Sequence, residues 1–495
     1  MKTNFKYLLA ALIVISGLAS CKKYLDKDPD MRAEINTPEK VAMLVTSAYP
    51  DRNYLSIAES YSDNVEDKGP LSTVHMNEPF VALYNWQDIA DDGTNTPTNY
   101  WNSCYEAIAN ANQALAAINE YKMGNAVLPY KGEALVARAY IHFMLVTFFA
   151  KAYEPNGANS TPGIPYVTEP EDVPIKKYDR GTVASVYAQI EKDLTEGMPL
   201  LKAGKWEVPK FHFTYPSAAA FATRFYMFKG DWDKTISYAN EIFVDGNFTG
   251  NLRPWNTTIR TYTTAEYNAE MTKPDKNYNI LIRETYSNYQ RSASSLKSRY
   301  AGLGVTKYQT VYNGNTVAGA PFYNKGLTNG AGNYDVYIMK EFFYITNTAA
   351  GTGQPYIMQP LFLADEVLMN RAEASLQKGD FAAALADLNL FASVRIVNYS
   401  ASTHAVTVDK AKAFFNVTDD KEAVLKTILQ FKQVAFMGEG LRWFDILRHR
   451  LPVVHNFIDA SGAQTYKTLG PDDPRRAFQI PQVAISEGGL VPNPR

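Results

Sequence analysis

The chain has 495 residues, of which 46% are hydrophobic and 20% charged, and its formal net charge is −2. That length is ample for a large core, and at roughly one domain per 150 residues it would allow three. With acidic and basic residues nearly balanced and no basic patch standing out, a nucleic-acid partner is not expected.

The N-terminus is a targeting segment. Lys2 and Lys6 supply a positive start, and Tyr7 to Ala19 is an apolar run. The run is too short for a hydrocarbon core of about 30 Å, which takes roughly 20 residues, and it fits a signal-peptide core. Leu18-Ala19-Ser20-Cys21 looks like a bacterial lipobox. Cleavage before Cys21 and acylation of its sulfur and new amine would anchor the protein to a membrane without a spanning helix. Residues 1–20 are therefore read as a signal peptide. Residues 21–36, polar and charged after the cysteine, are read as a tether, and 37–495 as one folded domain. Besides Cys21 there is only Cys104, so the lipidated chain has no intramolecular disulfide. Cys104 falls in a helical pattern with Tyr105 and Ile108 and reads as a small buried hydrophobe.

Thr37-Pro38 marks a helix start, with Thr as cap and Pro in the first turn. Residues 50–100 are rich in Asp, Asn, Gly and Pro and read as long loops. From Trp101, the residues Tyr105, Ile108, Asn112, Leu115 and Ile118 recur at helical spacing. Residues 133–150 are apolar nearly all round, which predicts a buried helix. A further helix begins near Thr182, with Val183, Val186, Ile190 and Leu194 on one stripe.

Two later segments resemble each other. Lys229-Gly230-Asp231-Trp232 and Lys378-Gly379-Asp380-Phe381 each close one helix and open the next. Gly suits the left-handed position after a helix, and Asp can cap the helix that follows. This is the helix–turn–helix unit of tetratricopeptide (TPR) repeats. Helices are thus expected over about 101–245 and 361–450. Between them, about 250–360, periodicity fades and 13 of the 33 tyrosines fall between 261 and 360. So long a segment without repeating helices reads as functional loops with a few short strands.

Catalytic signatures are missing: no P-loop, GxGxxG, GxSxG or HExxH occurs. The histidines are scattered, with no metal-ligand spacing. Asp88, Asp91, Asp92 and Gly93 faintly suggest a Ca²⁺ loop, but Ala90 and Asn99 break the EF-hand pattern. Asp63, Glu66, Asp67, Glu171 and Asp172 offer carboxylates for glycoside cleavage, yet none has a catalytic context. A binding protein is expected, without enzyme activity, metal or cofactor.

The C-terminal run Gly438-Glu439-Gly440-Leu441-Arg442-Trp443-Phe444-Asp445-Ile446-Leu447-Arg448 resembles the G-x-R-W-F-D-L-x-R signature of the SusD/RagB family. Cys21-Lys-Lys-Tyr-Leu-Asp26, Trp101 to Asn112, Ala137-Arg138-Ala139-Tyr140, Leu363 to Glu366 with Arg371 to Ala374, Gln479-Ile480-Pro481 and Asn493-Pro494 match other parts of that family in order. Ala435 departs from it, standing near where an acidic residue is common. In the motif itself, Arg442 with Asp445 and Asp445 with Arg448 can pair along one helix face, and Trp443, Phe444 and Leu447 would close the helical core.

The resemblance implies a mainly α fold of four TPR-like helix pairs, with a loop-rich region carrying the ligand site. It implies a lipid-anchored outer-membrane protein that faces the cell surface. It also implies capture of an oligosaccharide, or alternatively an oligopeptide, for delivery to a SusC-like TonB-dependent β-barrel transporter. A TPR-type envelope scaffold and an all-α glycan-cleaving enzyme are the readings from other classes. Family sites draw on the early loops and the irregular middle. That makes Tyr84, Trp86, Tyr286, Tyr289, Tyr308 and Tyr312 the candidate ligand-binding rings, expected to share an exposed patch.

Overall fold

The computed structural model describes residues 34–69, 79–171, 173, 176–290, 299–325, 327–328, 334–335 and 339–495. Cys21, the signal peptide and nearly all of the tether lie outside the described residues. Residues 37–495 form one unit of contacts.

Helix hairpins carry the fold. Thr37 opens the first helix, Pro38–Val45, its side chain accepting the Lys40 N–H at 3.4 Å. The helices Pro97–Tyr121 and Leu128–Phe149 then pair, followed by Val183–Gly197 and the hairpin Tyr215–Lys229 with Trp232–Asn240. In the C-terminal half Ala364–Gln377 pairs with Phe381–Arg395, and Val408–Phe415 with Asp420–Ala435. The repeated turn forms as its chemistry requires. Gly230 (φ +71°) and Gly379 (φ +85°) take the left-handed conformation, while Asp231 and Asp380 accept the N–H groups of Lys234 and Ala383.

The Leu128–Phe149 helix is apolar enough by composition to cross a membrane, yet it is the centre of the core. Its buried Arg138 and His142 both have partners. Arg138 forks onto Asp193 at 2.6 and 2.8 Å. His142 lies between the Arg138 carbonyl and the Val167 N–H, a pairing that only the neutral ring completes. Burial accordingly pushes its pKa down to about 3. Cys104 is buried, and burial raises its thiol pKa.

One expectation needs correction. Residues 50–100 are not simply loops: Leu55–Tyr61 is a helix with every residue buried, and Phe80–Tyr84 is a second short one. The few short strands expected between about 250 and 360 are present, and they pair into sheets. Strands β1 (Asn279–Tyr286), β2 (Leu327–Thr328), β3 (Tyr334–Asp335), β4 (Glu341–Asn347), β5 (Thr352–Leu363), β6 (Val453–Ile458) and β7 (Gln464–Leu469) form three antiparallel sheets among the described residues, ordered β1-β5-β4, β2-β3 and β6-β7.

The signature helix Arg442–Arg448 locks these parts together, though not by pairing Arg442 with Asp445. Arg442 instead reaches Asp63, just beyond the Leu55–Tyr61 helix, through two 2.8 Å contacts. Asp445 pairs with Lys432 and lies 3.7 Å from Arg448, whose main partner is Glu373 at 2.6 Å. The spacing allowed the local pair, but Asp445 is taken by Lys432, so Arg442 turns to Asp63, while Arg448 reaches the fully buried Glu373. Trp443, Phe444 and Leu447 are buried, as a closing clamp requires.

An aromatic sheet face as candidate functional site

The six candidate rings do not form one exposed patch. Tyr84, Trp86, Tyr289 and Tyr312 are buried, none more than 3% exposed. Tyr84 stacks on His455 (centroids 4.1 Å apart) and Tyr300, while its hydroxyl accepts the Asp67 N–H and donates to Asn456. Trp86, at φ +53°, stacks on His455 and donates to the Tyr61 carbonyl at 3.2 Å. Burial pushes the His455 pKa down to about 4, though both ring nitrogens sit 2.8 Å from carbonyl oxygens. Desolvation is the larger effect, and a neutral ring satisfies one of those two carbonyls. Tyr289 packs with Leu55, Phe80 and Ile357, and Tyr312 with Leu303 and Met437. These rings bury large apolar bodies, each polar tip finding a partner where one is at hand.

Tyr286 and Tyr308 are half-buried and lie in different surroundings. Tyr308 is stacked face to face on Tyr334, centroids 3.6 Å apart. Tyr286 begins a larger arrangement. It is opposite Tyr356 across β1-β5, and Tyr356 is opposite Phe342 across β5-β4. Directly paired residues share a sheet face, so these three rings form one row, with Tyr344 two residues further along β4. Phe342 and Tyr356 stack at 5.3 Å. The Arg52 guanidinium lies 4.3 Å from the Tyr286 ring, and the Lys340 ammonium 4.8 Å from Phe342. Tyr344 is 63% exposed.

The opposite face explains why this one is open. Thr285 and Ile357 point inward, Ile357 into the cluster of Leu55 and Phe80, and strand alternation leaves Glu284, Tyr286, Gln354 and Tyr356 outward. One end of the row is held rigidly. Asp51 pairs with Arg52 at 2.7 Å, and Ser103 of the Pro97–Tyr121 helix binds both, donating to the Asp51 carboxylate. The Tyr286 N–H donates to the Asp51 carbonyl, and Asn53 donates to the Tyr286 carbonyl. Asn95, from the loop before that helix, bonds Asn288. Early-loop and middle residues therefore do meet, through Asp51, Arg52, Asn95, Tyr286 and Asn288, with Tyr356, Phe342 and Tyr344 completing the face.

Those last three were missed because residues 250–360 read as irregular. Glu-Phe-Phe-Tyr-Ile-Thr-Asn347, a Gly-containing turn, then Thr-Gly-Gln-Pro-Tyr-Ile-Met-Gln359 carried a hairpin signal in their β-branched and aromatic content. Three of the candidate carboxylates have structural partners: Asp63 pairs with Arg442, Asp67 with Arg299, and Glu66 accepts the N–H groups of Thr306 and Lys307. Asp172 lies outside the described residues, and Asp88 pairs with Arg495 at 2.8 Å.

A family model described as "Starch-binding associating with outer membrane" matches residues 23–227, and the SusD family model matches residues 213–484. The chain belongs to the SusD/RagB family. A SusD superfamily protein from Bacteroides thetaiotaomicron shares its fold at a TM-score of 0.66 and 20% identity, covering 93% of this chain and 100% of that one. A SusD-like carbohydrate-binding protein from Bacteroides vulgatus matches at 0.58 and 15% identity, over 92% of this chain and 97% of its own. A laminarin-binding SusD-like protein matches at 0.59 and 16%, over 92% and 98%. No curated protein matches the chain. At these identities the SusD-like structures establish the fold.

Proposed function

We propose that this SusD/RagB protein binds a glycan at the Tyr286–Tyr356–Phe342–Tyr344 face and passes it, uncleaved, to a SusC-like TonB-dependent β-barrel transporter. The observation that carries the reading is that solvent-facing aromatic row, flanked by the fixed polar groups of Asp51, Arg52 and Asn288. Aromatic rings give a pyranose an apolar surface, and convergent polar groups bond its hydroxyls. The family's starch-binding description and the laminarin-binding relative favour a glycan over a peptide. Acylated Cys21 would hold the protein at the outer membrane, with residues 22–36 as slack. Incubating the protein with a panel of glycans and oligopeptides, with calorimetry and product analysis in parallel, tests this. Binding of a glycan without new reducing ends is expected; peptide binding alone, or glycan cleavage, would refute it.

A further inference from the structure

The Pro97–Tyr121 helix turns Ser103 toward Asp51 and the aromatic face. On another side it borders a separate, open cavity of about 420 Å³, lined also by Pro165, Glu171, Lys176 and Tyr178 and by residues near Glu487. That volume lies within the roughly 300–1,000 Å³ of small-molecule sites.

Its walls combine aromatic rings with acidic groups. Trp101 and Tyr105, one helical turn apart, make a corner with centroids 4.9 Å apart at 48°. The corner is fixed, because Trp101 is buried and the Tyr105 hydroxyl donates to the Pro165 carbonyl at 2.9 Å. Tyr178 also lines the cavity, its hydroxyl donating to Glu171 at 2.7 Å. Among the described residues, the charged lining groups are Asp92, Glu171 and Glu487 against Lys176 alone. Three carboxylates and one ammonium leave two negative charges in excess.

Aromatic faces beside uncompensated carboxylates attract organic cations, through the ring quadrupole and through direct charge attraction. One ring is already used in this way: the Lys176 ammonium lies 5.6 Å from the Tyr178 ring centroid. An anion would be repelled, and a neutral sugar gains nothing from the excess charge. We propose that this cavity binds a primary ammonium carried on a compact polar body, the class to which amino sugars belong. The site is separate from the Tyr286 face and does not depend on that face binding glycans.

The test is isothermal titration of the full chain with glucosamine and with N-acetylglucosamine at pH 6.5, where only the first is a cation. Glucosamine is expected to bind at least tenfold more tightly, and more weakly as salt is raised. The double substitution Glu171→Gln and Glu487→Gln, at two exposed positions, should weaken glucosamine at least tenfold without changing the melting temperature. Equal affinities for the two sugars, no glucosamine binding at millimolar concentration, or binding indifferent to the double substitution would each overturn the proposal.

Discussion

Arg442 and Asp63 grip each other through two parallel contacts of 2.8 Å across 379 residues of chain. The pair fastens the signature helix to the end of the Leu55–Tyr61 helix. Next to it Glu59 accepts the Gly440 N–H at 2.7 Å, and burial pushes its pKa up to about 7. Removing one member of a desolvated pair strands the other charge. Arg442→Ala is expected to lower stability by about 3 kcal/mol, with Asp63→Ala added on top costing little more. A double-mutant cycle in urea checks this; additive losses would contradict it.

Trp86 was a natural choice for a ligand ring, but it is buried against His455. Trp86→Ala should therefore cost about 3–5 kcal/mol of stability. Below the variant's melting temperature, glycan affinity should stay within threefold of the wild type. Loss of affinity in a still-folded variant would return Trp86 to the site.

His142 gives a pH dependence of known sign. Its folded pKa, about 3, lies below the unfolded value of about 6.5. Between those values the unfolded chain holds a proton that the folded chain lacks. The contribution is full above pH 6.5 and is lost as pH falls, at up to about 1.4 kcal/mol per unit. Glu59 acts in the opposite sense, its contribution fading as pH rises from about 4.5 to 7. Comparing His142→Gln with wild type isolates the histidine. From pH 7 to 5 the variant should lose about 2 kcal/mol less, read from urea midpoints.

The two repeat turns should respond unequally to the same change. A Cβ at Gly230 would meet Pro155 at 2.9 Å, whereas one at Gly379 meets nothing within 4 Å. Gly379→Ala should cost about 1 kcal/mol, from backbone conformation alone. Gly230→Ala should cost more, and thermal melts of the two variants give the order.

The helical half of the fold was readable in the sequence because its signals are local. Thr37-Pro38, the stripe from Trp101 and the twin Lys-Gly-Asp turns each act within a few residues. The site was less readable. Whether a tyrosine faces solvent depends on what distant residues cover it. Tyr84 is closed in by His455 and Asn456, some 370 residues away, while Tyr286 stays half-open because Ile357 takes the buried side of the sheet. The row Tyr286–Tyr356–Phe342 exists only once two strand registers are set. Arg442 likewise had a partner in sequence reach, Asp445, but found Asp63.

The aromatic face is tested most directly by calorimetry of Tyr286→Ala and Tyr356→Ala against wild type, using a glycan the wild type binds. At unchanged melting temperature, each single variant should lose about tenfold in affinity, roughly 1.4 kcal/mol, and the pair should abolish binding. Full affinity in the double variant would show that the glycan binds elsewhere and would contradict the account.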